Sequence, residues 1–261
     1  MITSTANGRI KQLALWNQKA KARREDEVFI AEGIKMFEEA PPGWIREVYL
    51  SESFYEKIPE KLASKLDHCS YEVVSDNIFE KISDTQTPQG ILCVLKQPKY
   101  SFMDLGVMRQ THPLVMVLED IQDPGNLGTI LRTGEGAGVT GVIMSKETVD
   151  IFNPKTIRAT MGSIYRVPFL YVDSLEDAID RLKRSNIRIY AAHLRGERSY
   201  SEMNYTRGCA FLIGNEGNGL KEETAALADA YLKIPMEGRV ESLNAAIASA
   251  ILMYEAHRQR S

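Results

Sequence analysis

The apolar residues of this chain fall into short runs separated by polar stretches, and the two halves differ in pattern. In the first half, three runs rich in β-branched and apolar residues predict strands: 27–33, 45–51 and 91–97. Residues 34–40 have a helical pattern, which Pro41 and Pro42 end because proline cannot continue a helix. The polar stretch 98–113, which contains Gly106, predicts a linker.

From residue 114 onward, strand and helix patterns alternate. Strands are predicted at 114–119, 141–145, 167–172, 187–192, 209–214 and 231–235. Helices are predicted between most of them, at 127–137, 155–162, 175–184 and 220–230. This alternation indicates an α/β domain with a parallel sheet covered by helices on both faces. A last helix at 243–258 carries apolar residues at helical spacing, which we expect to face the core: Leu243, Ala246, Ile247, Ala250 and Ile251.

Composition narrows the class of protein. The chain has 261 residues, 44% of them hydrophobic, which is enough for one large domain or two modest ones. No apolar run approaches the roughly 18 residues of a membrane span, and the first residues lack a signal-peptide core, so we expect a soluble cytoplasmic protein. The scattered cysteines and histidines predict neither disulfides nor a metal site.

Charge is unevenly distributed. The net charge is −3, yet residues 1–24 hold six basic side chains and no acidic one: Arg9, Lys11, Lys19, Lys21, Arg23 and Arg24. A local positive patch can bind phosphates without a basic overall composition. A solvated helix face would give the same run of charges.

Candidate chemistry is concentrated in three loops that follow predicted strands, where parallel α/β sheets bind ligands. In the first, LEDIQDPGNLGTILRTGEGAGV (118–139), Asn126 is expected to cap the next helix, and Arg132 to lie near the same face. A helix N-terminus with an arginine behind it suits an anion such as RNA phosphate. The glycines at 134, 136 and 138 end that helix, so they are not a dinucleotide fingerprint.

The second and third loops are rich in glycine and asparagine. In FLIGNEGNGLKEE (211–223), three glycines in six residues allow close approach of the backbone to a ligand, but no phosphate-loop motif follows. In YLKIPMEGRVESLNAAIASAI (231–251), Ser242 is the expected cap of the last helix. Asn244 would then lie inside the helix, an unfavourable position that points to a functional role.

Together the three loops resemble, in order, spacing and residue type, the three motifs of the SpoU (TrmH-type) RNA ribose methyltransferases of the SPOUT superfamily. The segments are DPGNLGTILRT, IGNEGNGL and IPMEGRVESLNAAIASAI, and the likeness covers Leu114 to the end. It implies a parallel-sheet domain with a deep trefoil knot at 114–261, where S-adenosylmethionine binds. The opening basic helix and FIAEGIKMFEEA resemble a smaller α/β, ribosomal-protein-like RNA-binding domain, here 1–97, with 98–113 as linker.

The resemblance also implies roles for individual residues. Gly214, Ile234, Met236 and Leu243 are expected to bind the cofactor. Arg132 is expected to hold a phosphate and to stabilise charge on the attacking 2′-oxygen; because guanidinium stays protonated in proteins, we do not assign it as a base. The remaining expected catalytic residues are Asn126, Glu216, Ser242 and Asn244.

The expected activity is therefore methyl transfer from S-adenosylmethionine to a ribose 2′-hydroxyl of RNA, with large-subunit ribosomal RNA favoured by the N-terminal domain. The resemblance further implies a homodimer, and the apolar pattern and the scattered cysteines and histidines predict no membrane partner and no metal. Three alternatives stay open: a tRNA ribose methyltransferase, a noncatalytic RNA-binding protein on the same fold, and a generic nucleotide-binding α/β enzyme. The intact polar residues of the loops weigh against the second, and the missing phosphate-binding fingerprints against the third.

Overall fold

A computed structural model describes residues 1–108, 110–240 and 242–261. Residue contacts divide the chain into two units. Unit 1 comprises Met1–Lys99 and Asp150–Tyr165, and unit 2 comprises Tyr100–Val149 and Arg166–Ser261. In the part of the chain that the structure describes, no helix is both long and apolar enough to cross a membrane.

The first half of the chain contains ten regular elements. They are α1 (Gly8–Gln18), α2 (Ala20–Glu25), β1 (Val28–Glu32), α3 (Ile34–Glu39), β2 (Ile45–Ser51), α4 (Glu52–Tyr55), α5 (Glu60–Leu66), β3 (Tyr71–Val74), α6 (Asp76–Ile82) and β4 (Ile91–Lys96). Short 3-10 helices add Pro42–Trp44 and Phe102–Leu105.

The second half begins at a buried strand and ends with the longest helix. Its elements are β5 (Leu114–Leu118), α7 (Pro124–Ala137), β6 (Gly141–Ser145), α8 (Pro154–Thr160), β7 (Phe169–Val172), α9 (Leu175–Arg184), β8 (Arg188–Ala192), β9 (Arg198–Ser199), β10 (Cys209–Ile213), α10 (Glu222–Ala225), β11 (Ala230–Lys233) and α11 (Ala245–Arg260). Two more 3-10 helices are Ser163–Tyr165 and Tyr200–Glu202.

Unit 2 is built on the predicted parallel sheet. Seven strands lie in the order β7-β6-β5-β10-β8-β11-β9, and every neighbouring pair is parallel. The strands β5, β6 and β10 are buried along their whole length, because helices cover both faces. All seven carboxyl ends therefore meet at one edge of the sheet, which we call the carboxyl edge.

Unit 1 has a smaller mixed sheet of order β1-β4-β2-β3. The strand β4 runs antiparallel to both β1 and β2, whereas β2 and β3 are parallel. On one face, apolar residues of α1 and α6 pack with those of the strands in a continuous core; Leu13, Trp16, Phe79 and Tyr49 are all buried in it.

The segment Asp150–Tyr165, which includes α8, packs with unit 1 although it interrupts the sequence of unit 2. Arg23, with 3% of its surface exposed, donates to Asp150 Oδ2 from Nη2 at 2.6 Å and from Nε at 3.2 Å. The Tyr165 hydroxyl donates to the Met36 carbonyl at 3.0 Å, and the rings of Phe29 and Phe152 lie 5.1 Å apart. The predicted division at 1–97 and 114–261 did not include this exchange.

Several local expectations need correction. The predicted linker is not a bare connection, because Phe102, Leu105 and Val107 are buried in the core of unit 2. The predicted helix 220–230 is only the single turn of α10. The last helix buries Ala245, Ala246, Ser249, Leu252, Met253 and Ala256. Of the residues expected to face the core, Ile247 is 51% exposed and Leu243 precedes the helix.

The two predicted helix caps were also wrong by a few residues. Asp123, not Asn126, caps α7: its carboxylate accepts from the Asn126 backbone N–H at 2.9 Å. Asn244, not Ser242, caps α11: its Oδ1 accepts from the N–H of Ala246 at 2.9 Å and of Ile247 at 3.3 Å. The cap position suits asparagine, so the argument from unfavourable helix propensity no longer applies to Asn244.

The six basic side chains of residues 1–24 differ in their surroundings in the structure. Arg9 pairs with Glu47 and Glu72, and Lys21 with Glu25. Arg23 is buried, so it is not available to a phosphate. Lys11, Lys19 and Arg24 are exposed, and none of them has an ion pair among the described residues.

Arg23 and Arg24 provide a matched pair for testing this division. Arg23→Gln should lower the free energy of unfolding by about 3–5 kcal/mol, because it leaves Asp150 and two backbone carbonyls without their donor. Arg24→Gln should change it by less than about 0.5 kcal/mol, as is usual at an exposed site. Urea denaturation of both variants measures the difference, and equal stabilities would contradict a structural role for Arg23.

Candidate active site

Three loops at the carboxyl edge of unit 2 contain the predicted site residues. They follow β5, β10 and β11, so strand order alone brings the first two side by side. The third lies two strands away from β10, across β8. Side-chain hydrogen bonds nonetheless connect all three loops.

A chain of side-chain hydrogen bonds joins one residue from each loop. The Asn244 Nδ2 donates to Asn126 Oδ1 at 2.9 Å, and the Asn126 Nδ2 donates to Glu216 Oε1, also at 2.9 Å. Asn126 lies in the first turn of α7, one turn after the cap at Asp123. The structure thus brings together three of the five predicted catalytic residues.

Glu216 is held as a carboxylate by this arrangement. Besides Asn126, it accepts from the backbone N–H of Gln122 and of Asp123, each at 3.0 Å. Partial burial acts to raise the pKa of Glu216, but the hydrogen bonds from Asn126, Gln122 and Asp123 outweigh it and hold that pKa below its ordinary value. A carboxylate held in this way is a poor base and a good anchor for the loop after β5.

Asn215, which the sequence analysis did not single out, shapes the loop after β10. Its Oδ1 accepts from the N–H of Gly217 at 2.9 Å and of Asn218 at 3.1 Å, and its Nδ2 donates to the Asp120 carbonyl at 2.8 Å. Such self-bonding is typical of asparagine in turns. Asn215 and Gly219 also exchange backbone hydrogen bonds, which close the turn.

Gly214 is required by that turn. A Cβ on Gly214 would lie 2.1 Å from the carbonyl carbon of Gly219 and from the nitrogen of Leu220, a distance that real side chains do not tolerate. The close packing at this glycine is with atoms of its own loop, and the expected approach to a ligand stays a prediction.

Two acidic residues directly after β5 form a second anchor. The buried carboxylate of Glu119 accepts from the Lys221 N–H at 2.8 Å and from Thr224 Oγ1 at 2.5 Å. Asp120 pairs with Lys221 Nζ at 2.8 Å and accepts from Ser145 Oγ at 2.7 Å. Burial opposes ionisation of Asp120, yet the bonds from Lys221 and Ser145 lower its pKa. The sequence signal that could have identified Glu119 and Asp120 is the occurrence of two acidic residues directly after a wholly apolar strand.

Arg132 and Ser242 stand apart from these bonds. Six residues along a helix turn the chain by about 600°, so Arg132 lies about 120° around α7 from Asn126, on an adjacent face rather than the same one. Arg132 and Ser242 are both exposed, and in the residues described neither side chain forms an ion pair or a hydrogen bond.

The predicted cofactor residues line the edge from β10 to β11. Ile234 and Leu243 are half-buried and Met236 is 38% exposed, so apolar side chains are left partly open to solvent after β11. The loop after β8 lies between them: the His193 N–H donates to the Leu232 carbonyl at 3.0 Å, and a Cβ on Gly196 would lie 2.5 Å from the Leu232 carbonyl carbon. An exposed apolar surface bordered by backbone suits a neutral aromatic group such as adenine.

Across the described ranges, no group of three or more His, Cys, Asp or Glu side chains is placed to hold a metal ion. Cys209 begins β10, at the end of the strand opposite the carboxyl edge, and burial raises the pKa of its thiol to about 11, which keeps it protonated at neutral pH.

Sequence profiles match both parts of the chain. The SpoU rRNA Methylase family profile matches residues 113–254, and the profile of the MRM3-like substrate binding domain matches residues 7–93. Among curated proteins, the chain is 32% identical over 255 residues to the 23S rRNA (guanosine(2553)-2′-O)-methyltransferase RlmP of Bacillus subtilis, which covers 97% of each chain.

Solved structures resemble the whole fold. The AdoMet-bound rRNA methyltransferase from Sinorhizobium meliloti superposes with a TM-score of 0.85 at 33% identity, covering 98% of this chain and 97% of that one. The SpoU methyltransferase AviRb from Streptomyces viridochromogenes gives a TM-score of 0.87 at 24% identity, covering 97% and 98%. The second likeness concerns the fold alone.

The crowding at Gly214 gives a testable consequence. Gly214→Ala should destabilise the protein by about 1–3 kcal/mol, because the new methyl group must displace the backbone of Gly219 and Leu220. Gly217→Ala in the same loop is the matched control, since its Cβ would meet only Asn215 Oδ1 at 3.5 Å. Thermal and urea unfolding compare the two, and equal losses would show that the turn tolerates a side chain at Gly214.

Proposed function

The chain belongs to the SpoU rRNA Methylase family, and on that premise we propose how its residues share the work of methyl transfer to a ribose 2′-hydroxyl. It is an S-adenosylmethionine-dependent RNA 2′-O-methyltransferase acting on ribosomal RNA. We extend this to the large-subunit RNA, because RlmP, named for 23S rRNA, aligns over nearly the whole chain. The hydrogen-bonded chain Asn244–Asn126–Glu216 is the observation that carries the proposed division of roles.

The proposed cofactor surface consists of Gly214, Ile234, Met236 and Leu243. The exposed apolar side chains fit the adenine ring, and the glycine-rich turn offers backbone groups for the polar parts of the cofactor. When bound, S-adenosylmethionine supplies a methyl group on a positively charged sulfur, already activated toward attack. Neutral lining is consistent with a cationic ligand that needs positioning more than pairing.

Arg132 is the proposed catalytic residue. Its exposed guanidinium has no partner among the described residues, so it is available to an RNA phosphate and to the oxygen that attacks the methyl group. It would stabilise negative charge developing on the 2′-oxygen while the O–C bond forms and the S–C bond breaks. The hydroxyl proton leaves to water, because neither guanidinium nor a carboxylate of lowered pKa is an effective base.

Asn126, Glu216 and Asn244 are proposed mainly as positioning residues. Glu216 fixes the loop after β5 and orients the Asn126 amide, which in turn receives a hydrogen bond from Asn244. This relay would set the relation between α7, which carries Arg132, and the loop that precedes α11. Ser242, exposed at that loop, is proposed to orient the ribose by a hydrogen bond.

The topology of unit 2, the role of unit 1 and the oligomeric state are also part of the proposed function. We infer that unit 2 has the deep trefoil knot of the SPOUT superfamily; insertion of β10 between β5 and β8 supports it. Unit 1 is the proposed RNA-binding domain, supported by the match at 7–93. We propose a homodimer, supported by the exposed apolar side chains of Ile247 and Tyr254 on α11. A ribosomal RNA substrate would place the activity in the cytoplasm.

The test of this function is transfer of labelled methyl groups to ribosomal RNA from a deletion strain, with ribose methylation mapped afterwards. Arg132→Ala should lower the single-turnover rate by about 10²–10³-fold, as expected for loss of one charge-stabilising donor. Cofactor binding measured by calorimetry should be nearly unchanged, because Arg132 serves the RNA. Wild-type rates in this variant would remove Arg132 from the mechanism.

Arg132→Lys distinguishes charge from geometry in the same assay. Lysine keeps the charge but lacks the planar fork that holds a phosphate through two nitrogens. A rate near that of the alanine variant would indicate oriented hydrogen bonding, whereas recovery of most of the activity would indicate that charge alone suffices.

RNA capture by the opening helices is tested through salt dependence. Replacing Lys11, Lys19 and Arg24 with glutamine should weaken RNA binding and reduce the slope of log K against log salt by about one unit per lost phosphate contact. Lys96→Gln, an exposed change elsewhere in unit 1, is the control. An unaltered slope in the triple variant would show that these side chains are only solvated.

A further inference from the structure

A cavity of about 470 Å³ lies within unit 1, apart from every residue assigned above. It opens where β2 and β3 end and β4 begins. Its walls include Ser53, Phe54, Lys57, Asp76, Phe79 and Gln89. Its volume lies in the range of small-molecule sites, and it is large enough for a nucleotide.

The strand register explains why these groups meet. Ser51 pairs with Val74 in the parallel strands β2 and β3, and Leu50 pairs with Ile91 in the antiparallel strand β4. The floor is closely packed at Gly90, which has φ +82°. A Cβ there would lie 2.5 Å from Phe54 Cβ. The backbone at Gly90 therefore packs directly against the side chains of Phe54 and Ser51.

The polar groups of the cavity are of two kinds. Asp76 Oδ1 accepts from the Ser53 backbone N–H at 3.1 Å and from Ser53 Oγ at 2.9 Å, and these bonds lower the pKa of Asp76, so the carboxylate is charged at neutral pH. Both bonds from Ser53 reach Oδ1, and the exposed carboxylate of Asp76 can accept a further hydrogen bond from a ligand. Lys57 Nζ and the Gln89 amide nitrogen have no partner among the described residues.

These groups suit a ligand that brings a hydrogen-bond donor to Asp76 and a negative charge to Lys57. A phosphate inside would meet the carboxylates of Asp76 and Glu80, which repel it. An aromatic ring would instead lie along Phe54, whose side chain is half-buried, with an amino group on the Asp76 carboxylate. Lys57 would then be free to pair with the phosphate of the same nucleotide.

We propose that this cavity receives an unstacked nucleobase of the RNA substrate and selects bases that present an exocyclic amino group to Asp76. The proposal rests on the proposed function, since it takes RNA as the ligand. Proteins recognise single-stranded RNA by stacking bases on aromatic side chains and hydrogen-bonding their Watson–Crick edges. Carboxylates accept from the cytosine amino group, which uracil replaces with an acceptor oxygen.

The test compares fluorescein-labelled octamers of cytidine, adenosine and uridine, bound to the full-length protein and followed by anisotropy. The wild type should bind the cytidine and adenosine octamers about fivefold more tightly than the uridine octamer. Asp76→Asn keeps Oδ1 as an acceptor for Ser53 but replaces the second oxygen with an N–H donor, which matches the uracil carbonyl. The preference should disappear or reverse.

Two further variants separate selection from general effects. Asp67→Asn removes an exposed carboxylate of unit 1 outside the cavity and should leave the preference unchanged. Lys57→Gln should weaken all three octamers to a similar extent, because it contacts phosphate. Asp76→Asn with the wild-type preference, or a wild type without preference, would overturn the proposal. Failure of the proposed function would show itself separately, as absent cofactor binding and methyl transfer by the wild type.

Discussion

The carboxylate of Glu216 accepts three hydrogen bonds from the segment that follows β5: two from backbone N–H groups and one from Asn126. Parallel strands bring loops to one edge, but they do not fix the loops relative to one another. Glu216 does so between the first two loops, and Asn244 extends the connection to the third. Removing the side chain would leave the N–H groups of Gln122 and Asp123 and the Asn126 amide without their acceptor, so the loss would affect the whole carboxyl edge.

Glu119 and Asp120, which directly follow β5, also fix a loop by accepting hydrogen bonds from its residues. Glu119 binds the backbone of Lys221 and the hydroxyl of Thr224, and Asp120 binds the Lys221 ammonium, so the far end of the second loop is also fixed to β5. Acidic side chains therefore serve here as acceptors for loop backbone. Glu119, Asp120 and Glu216 are therefore all engaged as acceptors, which agrees with the proposed reliance on positioning and on cationic stabilisation by Arg132.

The sequence predicted the strands of unit 2 well, because runs such as 114–118 and 209–213 are wholly apolar and buried on both faces. Features that depend on contacts between residues far apart in the chain could not be predicted from the local sequence. Nothing local distinguishes Asp123 from Asn126 as a cap, since both residue types suit that position. In α11, alanines occur on several faces, so the apolar spacing fitted the wrong stripe. The packing of Asp150–Tyr165 with unit 1 involves contacts such as the ion pair with Arg23, more than a hundred residues away.

The three loops and their residues could be identified from sequence because glycine, asparagine and charge are concentrated there, but their roles could not. The difference is clearest on α7, which has two charged side chains. Glu135 is paired with Arg166, whereas Arg132 has no partner among the described residues. An arginine kept free on a helix whose start is fixed by Glu216 combines a defined position with an uncommitted charge. Such a residue can pair with a negatively charged ligand, and RNA carries a phosphate charge at every nucleotide.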